Sequence, residues 1–254
     1  MRDKELSLSN HLGELRHRLV WSLAVLGACI GLSFAFHQQL LEMLLQPAEG
    51  FAEIPTGKPI YTDLTEFLGA AMKVSLIGGV IVALPFVLYQ TIMFVAPGLT
   101  TAERRWLHLL LPLSVVAFGL GAAFGYRILF PPAISFLTHF GEDVATPQIR
   151  IGPYVNLMVS LLFWMGLVFE IPLVLFFLSK IGVVTPEWLA GQRRYAIVVA
   201  FILGAMITPT FDPINQTFVA LPIVLLYELG IWLAKLAARG RRKKSSSDEA
   251  AEKH

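Results

Sequence analysis

Charge is scarce in this chain. Asp, Glu, Lys and Arg make up 15% of its 254 residues, against about a quarter in a soluble domain. Hydrophobic residues make up 56%, and the mean hydropathy is +0.66. They occur in long unbroken runs, which excludes a water-soluble globular domain and points to an integral membrane protein. Cysteine is almost absent. Cys29 is alone, so no intramolecular disulfide can form, and its apolar surroundings make it a packing residue. Catalytic signatures are missing as well: the chain contains no HExxH, no GxSxG and no phosphate-binding Walker loop. Its six histidines, His11, His17, His37, His108, His139 and His254, do not cluster with thiols at metal-ligand spacing. No enzyme activity, metal site or cofactor is therefore expected.

What is present is a series of apolar segments. Six qualify as membrane spans: 19–36, 67–95, 107–130 with Arg127 near its end, 154–179, 195–210 and 214–234. The N-terminal arm "MRDKELSLSNHLGELRHRL" is too long and too acidic for a signal or transit peptide, so the first span reads as a retained anchor. The last two spans meet at "TPTFDPINQ", where Pro209 and Pro213 predict a tight break. The fifth span has about 17 uncharged residues, or roughly 25 Å of helix, short of the roughly 30 Å hydrocarbon slab. Prolines inside the spans (Pro85, Pro112, Pro172, Pro222) predict bent helices and a curved, non-bundle arrangement. The fold class is thus all-α and polytopic.

Positive charge is segregated. Alternate connections hold Arg2, Lys4, Arg16 and Arg18; Arg104 and Arg105; Lys180, Arg193 and Arg194; and the seven basic residues from Lys235 onward. The other side has only Lys58, Arg150 and Arg127, and Lys73 lies within a helix. The bias places both termini in the cytoplasm. Residues 1–236 form the transmembrane domain; the basic, then acidic tail 237–254 reads as disordered and lipid-anchoring rather than nucleic-acid-binding.

Three acids stand out. Glu170 sits inside the apolar run "GLVFEIPLVLFF", where an unpaired carboxylate is costly. It suits either a polar cavity or a proton relay. Glu14, in "HLGELRHRL", is four residues from Arg18 and can pair with it on a helix. Glu103, in "APGLTTAERRW", can complete a capping box with Thr100 or Thr101. On spacing alone, both suit structural roles.

Taken together, "HLGELRHRL", "FVAPGLTTAERR", "FEIPLVL", "TPEWLAGQRRY" and the Thr-Pro, Asp and Gln of "TPTFDPINQ" resemble the TatC family. This is the multispanning subunit of the twin-arginine protein translocase, and the motifs fall in the family's order over about residues 9–230. The resemblance implies a bacterial inner-membrane receptor for signal peptides with paired arginines. It also implies a scaffold for single-span partners of the TatA/TatB type, self-association, and export of folded proteins driven by the proton-motive force. By motif, Glu14, Arg16, Glu103 and Phe94 match the signal-peptide site. Glu170 matches the acid of the fourth span, and Pro47 a proline of the first outer loop. Thr208, Asp212 and Gln216 match the partner-helix contact. Here "TPTFDPINQ" is one residue longer than the commoner pattern, and Ala205 or Met206 takes a preceding Met position. The alternative from a different class is a small-solute secondary transporter. It needs two related halves with paired broken helices; only one such break is evident.

Overall fold

The computed structural model describes residues 8–46, 59–95, 101–140, 148–208 and 213–252, with the side chains of 8–11, 92, 95, 101–108 and 240–252 outside that description. Pro47 and Asp212 therefore lie outside the described residues. The helices are α1 (Leu8–Ala35), α2 (His37–Leu45), α3 (Leu64–Val95), α4 (Thr101–Phe124), α5 (Phe130–His139), α6 (Ile151–Ile181), α7 (Pro186–Gly191), α8 (Arg193–Ile207) and α9 (Pro213–Glu252). A parallel bridge between Ile60 and Arg150 joins two connecting segments.

Among the described residues five stretches are long and apolar enough to cross a membrane: Leu12–Ala35, Leu64–Thr91, Leu109–His139, Ile151–Ile181 and Pro213–Arg239. The expected fifth span corresponds to α8, whose 15 residues reach only about 22 Å. The third span is longer than its sequence suggests. Pro131 and Pro132, just past the expected end at residue 130, occupy the first turn of α5, where missing N–H groups cost little. A π-helical turn, Gly125–Leu129, joins α4 to α5 and absorbs the register change. The last helix, α9, continues to Glu252; Ala, Arg, Lys and Glu favour helix in its final turns and no proline stops it.

Side-chain contacts fix the helix directions. Arg18 near the start of α1 reaches Gln90 near the end of α3, so these helices are antiparallel. Ser114 contacts Glu170, and Gly121 lies against Met165, which sets α4 antiparallel to α6. Ser179 donates to the carbonyl of Ala234, aligning α6 with α9. Arg193 of α8 meets Glu228 of α9, so α8 runs back along α9. α6 is the hub, packed on α3, α4, α8 and α9, while α1 packs chiefly on α3. The helices thus form an open row with α1 and α8 at its flanks.

Small residues bring the backbones together, as expected where lipid gives no hydrophobic drive between helices. A Cβ on Gly121 would stand 2.4 Å from the Met165 carbonyl, and one on Gly166 would meet the Phe118 ring at 2.5 Å. Around this seam Phe130, Tyr154, Met158, Leu161 and Met165 are fully buried. Phe130 and Tyr154 meet edge to face at 5.1 Å, and the Tyr154 hydroxyl donates to the carbonyl of Leu44. α6 ends at Gly182, whose φ of 83° suits glycine, with Val183 N–H donating to the Leu178 carbonyl at 2.9 Å.

Candidate functional site

The end of the molecule at which α1 begins collects the predicted receptor residues. On α1, Glu14 is partly buried and Arg16 is exposed. Arg18 donates to Oε1 of Glu14 from Nη2 (2.5 Å) and Nε (3.0 Å), and from Nη1 to Oε1 of Gln90 (3.1 Å). The expected Glu14–Arg18 pair therefore forms, and Gln90 extends it onto α3. Phe94 lies one turn beyond Gln90 and is partly buried. Glu103 stands in the first turn of α4, with its side chain outside the described residues. Only residues 96–100 separate α3 from α4, six Cα–Cα steps of about 3.8 Å. The backbones carrying Glu14 and Glu103 thus share one end of the molecule. The expected cap from Thr100 or Thr101 rests on side chains outside the described residues.

At the same end the guanidinium of Arg193 forms two bonds to Glu228, at 2.6 and 3.0 Å. The Tyr227 hydroxyl donates to the Leu189 carbonyl at 2.8 Å. These contacts pin the short α8 and the α7 turn to α9. Glu228 and Arg193 were visible in sequence only as two separate charges.

Within the spans, Glu170 faces α4. Ser114 Oγ donates to its Oε2, while Oε1 is buried without a hydrogen-bond partner among the described residues. Pro112 and Pro172 each lie two residues from this pair. Each proline leaves a carbonyl four residues earlier without its helical donor. Glu170 is therefore held in a polar seam between two helices that each contain a proline. Ser114 was missed, because nothing in an apolar run marks one serine as an acid's partner.

Where α8 meets α9, Thr208 is buried and its hydroxyl donates to the Gly204 carbonyl at 2.9 Å. Gln216 donates from Nε2 to the Phe201 carbonyl at 2.7 Å. Both side chains bind the backbone of α8. Beside them runs an open, mostly apolar groove of about 550 Å³ that includes Ile197, Phe201, Met206 and Gln216.

The opposite end is tied by a second polar network. Asp63 accepts the N–H and hydroxyl of Thr65, both at 2.7 Å, capping α3. These bonds hold the Asp63 carboxyl below its ordinary range. Glu66 accepts from Arg150 (2.9 Å) and from the Gly152 N–H (3.0 Å), joining the starts of α3 and α6. Lys73, the charge within a helix, donates to Asn156 at 2.9 Å. Among the described residues no group of His, Cys, Asp and Glu could hold a metal ion.

The sequence model of the Sec-independent protein translocase protein (TatC) family matches residues 10–222. The chain belongs to the TatC family. It is 36% identical over 252 residues to the Sec-independent protein translocase protein TatC of Koribacter versatilis, covering 98% of this chain and 93% of that one. Against the TatC of Aquifex aeolicus it is 39% identical over 240 residues, covering 94% and 98%. The fold is similar to a crystal structure of the twin arginine translocase receptor TatC. The TM-score is 0.80 at 40% identity, over 89% of this chain and 99% of that one. The chain is accordingly a multi-pass membrane protein of the Tat protein-translocation pathway. The TatC family match leaves the small-solute transporter reading without support.

Proposed function

We propose that this chain is the signal-peptide receptor and core scaffold of a twin-arginine translocase in a bacterial inner membrane. The observation that carries the reading is the placement of Glu14 on α1 and of the first turn of α4, with Glu103, at one end of the molecule. A guanidinium is a planar fork that meets a carboxylate through two parallel bonds, which an ammonium group does not reproduce. Two neighbouring arginines on an extended peptide suit two acids delivered by separate helices. Arg16 and Phe94 flank them, offering a polar and an apolar edge to the peptide.

In this reading α8 is the fifth of six spans, and its shortness thins the bilayer locally. Both termini are cytoplasmic. The Glu14 end carries Arg16, Arg18, Arg104, Arg105, Lys180, Arg193, Arg194, Lys235 and Arg239, against Arg127 and Arg150 towards the other. Single-span partners dock along the α8 groove beside Thr208, Asp212 and Gln216. Glu170 maintains the polar seam that receives a partner's polar side chain, and Pro47 shapes the connection that follows α2. Copies of the chain associate in the receptor complex, and folded cargo crosses using the proton-motive force. No catalytic residue or cofactor is part of the proposal.

The test is retention of purified, detergent-solubilised protein on immobilised signal peptides that differ only in RR versus KK. Selective retention by RR is expected. Equal retention by both overturns the receptor reading.

A further inference from the structure

A second polar feature lies at the Glu14 end, apart from the residues assigned above. A cavity of about 350 Å³ opens between α6, α7 and α9, with Ser179, Thr185, Glu187, Lys235 and Arg239 in its wall. Lys235 and Arg239 are one turn apart and project from the same face of α9. Neither forms an ion pair among the described residues. Thr185 Oγ1 accepts the Trp188 N–H at 3.2 Å, which leaves its O–H to donate. Two cations and a hydroxyl donor thus face one carboxylate, Glu187.

The surroundings decide the kind of anion. Trp188 on α7 and Trp232 on α9 are 55% and 69% exposed, and Leu236, between the two cations in sequence, is 56% exposed. Exposed tryptophan belongs at the headgroup level of a bilayer. The apolar stretch of α9 ends at Arg239 and that of α6 at Ile181, so the cavity lies where hydrocarbon gives way to headgroups. A soluble anion would gain nothing from the exposed Trp232 and Leu236; an acyl chain would cover them.

We propose that this cavity binds the phosphate of an anionic phospholipid, with Lys235, Arg239 and the Thr185 hydroxyl as donors and the acyl chains along the outer face of α9. Charge-assisted bonds from an ammonium and a guanidinium hold the phosphodiester oxygens. Glu187 opposes them and limits the affinity. The site fixes one lipid beside α7, the turn that leads into α8.

The test is native mass spectrometry of the intact protein in mixed micelles of phosphatidylglycerol and phosphatidylcholine. Wild-type protein should retain phosphatidylglycerol in preference, and Lys235→Gln/Arg239→Gln should lower that retention by about tenfold. Arg194→Gln, an exposed cation outside the cavity, should leave it intact, and Glu187→Gln should raise it. Equal retention of the two lipids, an equal loss in the Arg194 variant, or displacement by millimolar inorganic phosphate would overturn the proposal. Should the Lys235/Arg239 variant not fold, unchanged retention in Glu187→Gln overturns it alone.

Discussion

Arg18 lies across the carboxylate of Glu14, 2.5 Å from Nη2 to Oε1, and its other terminal nitrogen reaches Gln90 on α3. The proposed receptor acid is thus already engaged by an internal guanidinium. An arriving arginine meets an acid that is oriented for this chemistry and must share or displace Arg18. Charge-assisted contacts contribute about 1.5–3 kcal/mol each, so Glu14→Ala or Glu103→Ala should weaken RR-peptide binding by about ten- to a hundredfold. Arg18→Gln should leave binding at or above the wild-type level, because it removes the competitor. Titration with a fluorescent signal peptide checks both, and loss of binding in Arg18→Gln would show that Arg18 positions Glu14 rather than competing for it.

Glu170 is the most exposed to energetic penalty of the named acids, with one oxygen bonded to Ser114 and the other buried without a described partner. Glu170→Gln keeps both hydrogen-bonding capacity and shape, so it should retain much of the transport. Ser114→Ala removes the donor across the α4–α6 seam and should reduce transport or partner assembly. Export of a reporter in whole cells, with complex assembly followed in parallel, measures this. Complete loss in Glu170→Gln with normal assembly would favour proton transfer instead.

The Arg193–Glu228 pair holds the short α8 against α9. Arg193→Glu places two carboxylates together and should lower the melting temperature of the purified protein. Adding Glu228→Arg should restore part of it. Failure of the reversed pair to recover any stability would mean that packing alone fixes α8.

Asp63 gives a dependence on acidity. Thr65 lowers its carboxyl below the unfolded range, first through the hydroxyl and then through the backbone N–H. A group with a depressed folded-state value stabilises the fold above its unfolded value, and that contribution fades as pH falls through the folded value. Hydrogen exchange at the first turn of α3 should therefore lose protection in acid. Asp63→Asn caps the helix in neutral form and should show a smaller change over the same range.

Much of this architecture was legible because apolar runs and flanking charge are local signals. The Glu14–Arg18 pair followed from a four-residue spacing, and Glu170 was conspicuous as an acid among apolar neighbours. The partners were not legible. Gln90 is 72 residues from Arg18, and Ser114 is 56 from Glu170; only helix packing brings them together. The continuation of the third span to His139 was not legible either: Pro131 and Pro132 suit the first turn of a helix, and a π-helical turn joins that helix to α4. The roles of Glu14, Glu103 and the α8 groove came from family resemblance, since spacing alone fits capping and ion pairing equally well.

The most direct measurement is photo-crosslinking from probes at positions 14 and 103 to a signal peptide carrying RR or KK, in membranes. Both positions should capture the RR peptide, and the KK peptide should largely escape. Capture of both peptides alike, or of neither at both positions, would contradict a receptor built on these two acids.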